Sequence, residues 1–419
     1  MTKILSGKSN VDLDYPICRP SLDLDFTHEE LDPRVTFTRA STATRVNRNR
    51  VIETVGVNVP RFDYDPVTGE CRGLLIEESR SNLLLYSQDL GTGWSNPAGT
   101  TELVNVTTSP DGTSTADKLV EDTSSGQHYV SSSSVSWASS TTYTFSVFAK
   151  AETRYFLDLA FGTSSFWVNG HRRAVFNLAR GTVHSTAGAS LTALIIPYPN
   201  GWYRCSITAT TVSTAVAATT CQLLITSDGT SGGSYPGDGT SGLYLWGAQT
   251  EQGAFPTSYI PTTASTVTRS ADNASMTGTN FSSWYNQTEG TIVGDCSHPT
   301  LSSMICSISD GTINNRLQLE TGTNTRGIRV VYNGVSTTST LSYTYGKRQK
   351  FISSYTTNTA NYANAGILAT TIKISGFPTA NNLRIGANVS NESQLNSSIA
   401  RLTYYPRALK PNQLRYLTQ

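Results

Sequence analysis

The first residues whose types and spacing could do chemistry lie near the start of the chain. In PRFDYDP, Arg61, Asp63 and Asp65 fall at i, i+2 and i+4, which puts all three on one face of an extended strand. Such a row can make charge-assisted bonds to a neighbouring chain or to Arg34 and Arg39. With Arg39, Glu77 and Arg80 close by in sequence, it reads as an anchoring and interface set. The same row left in water would contribute little per pair. Beyond residue 90 the carboxylates are scattered, among them Asp158, Asp228, Asp238, Glu251, Asp272, Asp295, Asp310 and Glu320. None forms an evident acid–base pair of the kind that cleaves glycosides. His28, His128, His171, His184 and His298 are equally dispersed, and in so Ser-rich a chain a triad assembled on paper has no weight. GTSSG and DGTSG lack the strand–turn–helix setting of a nucleophile elbow or phosphate loop. The residues point to no catalysis.

Binding chemistry has better candidates. Sugars are held by aromatic faces and by Asn, Asp and Arg groups. Trp167 in SSFWVNGHRR sits beside Asn169, His171 and Arg172 in an expected loop, and is the best exposed platform. Trp202 and Trp246 lie in alternating patterns and belong to a core. Farther on, Asn314, Asn315, Asn324, Arg326, Asn358, Asn361, Tyr362 and Asn364 form an expected hydrogen-bonding rim, from which Arg326 and Tyr362 are taken as binding candidates. The same residue types also suit ordinary turns. Asp228 and Asp238, in the Gly/Ser stretch 228–242, could offer oxygens to calcium, but the compact D-x-D-x-D pattern is missing and a flexible loop is the simpler reading. No other cofactor or metal is expected. The six cysteines form no CxxC pair. Cys205–Cys221 and Cys296–Cys306 are compatible with neighbouring hairpin strands, though buried thiols are favoured.

The elements that must position these groups are strands. The chain has 419 residues, a net charge of +1 and only 15% charged residues, against about 25% in an ordinary globular protein. About a quarter of it is Ser and Thr. The balance argues against a nucleic-acid binder, which needs a basic stripe. No apolar run approaches the ~20 residues of a membrane span. MTKILSGKSN lacks the apolar core of a secretory signal, so synthesis in a reducing cytoplasm is expected.

The charge is concentrated before residue 88, where LDLDF, VTFT, GLLIEE and SNLLLYS are short apolar runs. TTYTFSVFAKA, RYFLDLAFG, GWYRCSITATT, CQLLITS and LYLWGAQTE then alternate with period two, as in a β-sandwich or jelly roll. Residues 256–273 read as a linker or an extended segment lying on that sandwich. From 266 onward strands recur, and Pro411 opens a short closing helix. The fold class is all-β: an N-terminal extended anchoring module, residues 1–88, followed by two β-sandwich domains at 89–265 and 266–419.

TRASTAT, PRFDYDP and GLLIEESRSNLL, within residues 20–88, resemble a module near the start of many bacteriophage virion proteins of tail, fibre and head-spike type. Residues 89–263, ending in YLWGAQTEQGAFPTSYIPT, resemble a jelly-roll carbohydrate-binding module. Residues 266–419, ending in ARLTYYPRALKPNQLRYL, are similar to concanavalin-A-like, laminin-G-type domains. The resemblance implies a non-enzymatic virion protein, a fibre, spike or decoration subunit, anchored by residues 1–88 to capsid, portal, adaptor or tail proteins. The sandwiches would meet host-surface glycans, with a homotrimer as first expectation and no membrane insertion. A depolymerising tailspike and a purely structural cement protein remain alternatives. A chain without residues 1–88 is expected to keep its sandwiches folded.

Overall fold

Period-two alternation of aromatic and branched side chains forces strands whose two faces differ. The strand Thr142–Ala151 shows the consequence: Tyr143, Phe145, Val147 and Ala149 enter one hydrophobic core, and Phe148, of opposite parity, enters another. The computed structural model describes residues 18–214, 217–296, 303–321, 325–342 and 348–418. The chain is all-β, with a short helix at Pro411–Leu417.

Two six-stranded antiparallel sheets make the central sandwich. One runs Thr192–Pro197, Trp202–Thr210, Thr142–Ala151, Gly242–Gln252, Ala116–Glu121, Thr100–Thr107. The other runs Thr182–Thr186, Arg173–Asn177, Phe156–Phe161, Cys221–Thr226, His128–Ser132, Trp94–Ala98. Phe145 and Val147 from the first meet Leu157, Leu159 and Leu223 from the second, all fully buried.

The second sandwich draws on both ends of the chain. In its nine-stranded sheet, Ser397–Tyr405 pairs with Glu289–Cys296, Leu22–Asp25 and Cys71–Ile76, and Phe62–Tyr64 closes one edge. In the facing sheet, Thr36–Thr38 pairs with Asn273–Thr277. Residues 18–88 therefore supply strands to both sheets of this sandwich, and only the hairpin Ala43–Val46/Ile52–Val55 forms a small sheet of its own. Leu22, Leu24, Phe26, Phe62, Leu74 and Ile76 share one core with Ile292, Leu383 and Leu402. Gly73, at φ +95°, permits a close approach: a Cβ there would stand 2.1 Å from the Ile399 carbonyl oxygen.

The segment 256–273 lies against its neighbours. Tyr259 and Ile260 are buried, and Val267–Arg269 pairs with Arg80–Asn82. Tyr259 joins Phe148, Trp202 and Trp246 with Val46, Ile52 and Tyr64 of the first segment. The outer face of the central sandwich is thus buried under the N-terminal part, and both sandwiches are welded along it.

The cysteines form no disulfide. Cys205 and Cys221 stand on opposite sheets of the central sandwich, and Cys296 and Cys306 on opposite sheets of the other, so neither pair is a hairpin pair. Among the described residues no helix is long and apolar enough to cross a membrane.

Candidate functional site

The charged residues of the first segment converge on one carboxylate that sequence order hides. Asp272, fully buried, receives Arg39 Nη1 at 3.0 Å, Arg61 Nη2, and the backbone N–H of Glu77 at 2.9 Å. Arg39 also donates to the carbonyls of Ser41 and Gly56, at 2.9 and 2.7 Å. Arg61 donates to the Thr44 carbonyl at 2.9 Å and reaches Glu77 Oε2 at 2.8 Å. Glu77 in turn accepts from the Ser258 N–H and hydroxyl, and Arg269 stands 3.5 Å away. Burial works against ionised Glu77, but Arg269 and Arg61 outweigh it and hold the carboxyl down at about 2.

This corrects the interface reading of Arg39, Arg61 and Glu77, which are at most 4% exposed. Their charges are satisfied within the chain, because burial without such partners would cost several kcal/mol. Arg80 is also internal: its Nε donates to Glu78 at 2.6 Å and its guanidinium lies over the Phe255 ring. The alternating row of Arg61, Asp63 and Asp65 does not exist either. The strand ends at Tyr64 after a bulge, so Arg61 turns inward while Asp65 caps the turn through the Val67 and Thr68 N–H groups and pairs with Arg72 at 2.7 Å.

Asp63 faces a different environment. One of its oxygens accepts the Val46 N–H at 2.9 Å, and among the described residues no ion pair holds the other. Burial pushes its carboxyl up to about 6, with the Val46 bond and Arg72 offsetting only part. It lines a cleft of about 550 Å³ where the first segment, the central sandwich and the strand Ser397–Tyr405 meet. Tyr198 and Arg204 come from the central sandwich, Arg72 and Glu70 from the first segment, and Ser397 and Ser398 from the last strand. A carboxyl of raised pKa in a cleft between packed units has the setting of a ligand-binding group.

The binding candidates are dispersed. Trp167 is 1% exposed: it stacks on Phe161 at 4.0 Å between ring centres and meets Trp137 edge-on at 5.2 Å. Flanking helical turns at Ser164–Phe166 and Val168–Gly170 fold the segment back, so the ring enters the core instead of standing out as a platform. Asn169 remains exposed in a left-handed turn, His171 bonds Ser190 Oγ at 2.5 Å, and Arg172 donates to the Phe161 carbonyl. Tyr362 is fully buried in the C-terminal core and offers no surface to a ligand. The Arg326 backbone pairs with Thr321 and Leu341, while its side chain, like Asn324 and His298, lies outside the described residues. Trp202 and Trp246 are core residues, as their alternation implied.

Asp228 and Asp238 serve separate turns. Asp228 accepts the Thr230 N–H at 2.8 Å, and Asp238 accepts the Thr240 and Ser241 N–H groups at 2.8 and 2.7 Å. Among the described residues, no group of three His, Cys, Asp or Glu could hold a metal.

Sequence reasoning missed Asp272, Arg269, Tyr198 and Arg204. One signal was available: Arg269 and Asp272 are the only charges in the otherwise neutral stretch 256–273. Tyr198 and Arg204 carried none, since both stand in ordinary strand and turn patterns.

No family model matches the chain, and no curated protein does. Among solved structures it is similar to the CBM40 of a Ruminococcus gnavus IT-sialidase, bound to α2,6-sialyllactose. That match has 17% identity and a TM-score of 0.27 over 32% of this chain and 85% of that one. A botulinum neurotoxin type C structure, whose cell entry depends on interaction with two ganglioside molecules, matches at 12% identity and TM-score 0.28, over 35% and 39%. Mouse laminin α1 domains LG4–5 match at 9% identity and TM-score 0.23, over 75% and 92%. The chain spans about two fifths of the botulinum neurotoxin structures it resembles. These neighbours are jelly-roll and laminin-G-like β-sandwiches, and likeness at this level assigns no activity.

Proposed function

We propose that the protein is a non-enzymatic structural component of a bacteriophage virion, a fibre or spike subunit that offers its sandwiches to host-surface glycans. The observation that carries this reading joins sequence and structure. TRASTAT, PRFDYDP and GLLIEESRSNLL, the blocks that resemble the virion module, supply Arg39, Arg61 and Glu77 to one buried junction around Asp272. With Tyr64 in the cluster of Trp202 and Trp246 and Asn82 donating to the Ala248 carbonyl, the same blocks join the two sandwiches, which suits an appendage that must keep its shape outside the cell. Attachment to the particle then falls to exposed residues of the same segment, such as Arg48, Val57 and Val67. The carboxylates lining the cleft support the non-enzymatic part. Asp65 is paired with Arg72, Glu77 with Arg61, and Glu70 with Arg348, so Asp63 has no acid–base partner beside it.

Incubating purified protein with host surface polysaccharide tests the reading. Retention without shortening of the chains supports it. Shortened oligosaccharides would establish a depolymerase, and neither binding nor cleavage would favour a cement role. Labelled antibody on intact phage, imaged at low resolution, tests the virion location.

A further inference from the structure

We propose that the cleft between the two sandwiches is a binding site for an uncharged, hydroxyl-rich saccharide, with Asp63 and Tyr198 as its principal contacts. This rests on the glycan-binding reading above and names the place and the ligand class. The cleft's volume of about 550 Å³ falls within the roughly 300–1,000 Å³ of small-ligand sites.

Its chemistry follows from which groups are already engaged. Four arginines and four carboxylates line it, so neither sign prevails. Arg45 is held by Glu53 at 2.7 Å, Arg72 by Asp65 at 2.7 Å, and Arg348 by Asp295 and Glu70 at 2.9 and 3.2 Å. Arg204 is turned to the Thr257 carbonyl at 2.7 Å and Ser146 Oγ at 3.1 Å, over the Phe148 ring. An anionic ligand would have to displace a carboxylate from Arg45, Arg72 or Arg348, or draw the buried Arg204 away from the Thr257 carbonyl and Ser146 hydroxyl, and a cation would enter beside four guanidiniums.

The capacity left over is of another kind. Among the described residues, Asp63 keeps one carboxylate oxygen without a hydrogen-bond partner. The Tyr198 hydroxyl bonds to no group among the described residues, and its half-buried ring is braced edge-on by Phe148 at 5.0 Å. Leu75, Ile196 and Pro256 supply apolar wall between them. A carboxylate that accepts from hydroxyls, a phenol that does both, and an aromatic face for C–H surfaces are together what a neutral sugar ring needs. The site exists only where the three parts of the chain meet, so it would act on the assembled protein and not on either sandwich alone.

Saturation-transfer NMR and calorimetry on the full chain test this, with lactose, maltohexaose and cellohexaose as neutral probes and α2,6-sialyllactose as the anionic one. The expected result is binding of at least one neutral probe, no binding of sialyllactose, and at least tenfold weaker binding in Asp63→Asn and Tyr198→Ala. Tyr198→Phe, which removes only the hydroxyl, should fall between. Each variant is compared with the wild type for its thermal unfolding, so that a folding defect is seen as such. Neutral binding unchanged in the variants would overturn the cleft assignment while leaving glycan binding standing. Preference for sialyllactose, or no neutral probe bound, would overturn the ligand class. Failure to bind host polysaccharide as well would bring down the functional reading itself.

Discussion

Asp272→Asn is the sharpest test of the junction. The substitution keeps the volume and leaves an oxygen for the Glu77 N–H, but removes the charge that two buried guanidiniums share. Arg61 retains Glu77, whereas Arg39 is left with the Ser41 and Gly56 carbonyls alone. Removing one partner of a buried pair typically costs about 3–5 kcal/mol, because the remaining charge is desolvated without compensation. For a cooperative unit of 150–250 residues this corresponds to a fall in Tm of roughly 6–20 °C. Urea unfolding followed by tryptophan fluorescence reads it well, since Trp202 and Trp246 pack in the adjoining cluster. Adding Arg39→Met should restore part of the loss, as removing both partners is far milder than removing one. A loss below about 1 kcal/mol, the worth of an exposed pair, would refute the reasoning, as would strict additivity in the double variant.

Deleting residues 1–88 should unfold the C-terminal sandwich, contrary to the expectation of a detachable module. Leu22, Leu24, Phe26, Phe62, Leu74 and Ile76 leave its core, a loss of roughly 9–18 kcal/mol at 1.5–3 each, which circular dichroism of the truncated chain would reveal. Stability should also depend on pH in two opposed limbs. Asp63, whose carboxyl is raised to about 6, disfavours the fold when ionised, so Tm should rise as pH falls from 7.5 through 6 towards 4. Glu77, lowered to about 2, stabilises fully above about 4.5, and that contribution of about 3 kcal/mol is lost as pH falls from there through 2. Melting curves from pH 8 to 3 should show both limbs, and Asp63→Asn should flatten only the first. Trp167→Ala should destabilise the central sandwich by about 3–5 kcal/mol, with saccharide binding unchanged in calorimetry of the folded fraction. Loss of binding there without loss of stability would restore Trp167 as a surface platform.

What the sequence by itself determined was the local character of nearly every element. Alternation in TTYTFSVFAKA, CQLLITS and LYLWGAQTE specifies strands because side-chain direction along a strand has period two, and Pro411 opens the last helix because its missing N–H is harmless there. The burial of Trp202 and Trp246 followed from the same alternation. Tertiary structure decided what the charges do. An Arg–Asp row reads the same in sequence whether it faces solvent, another chain or the interior, and the difference lies in partners over 190 residues away, at Asp272 and Ser258. Trp167 likewise sits in a polar string whose two short helical turns reverse its direction. The cleft was invisible for the same reason: Asp63, Tyr198 and Ser397 meet only because strands from both ends of the chain close into one sheet against the central sandwich.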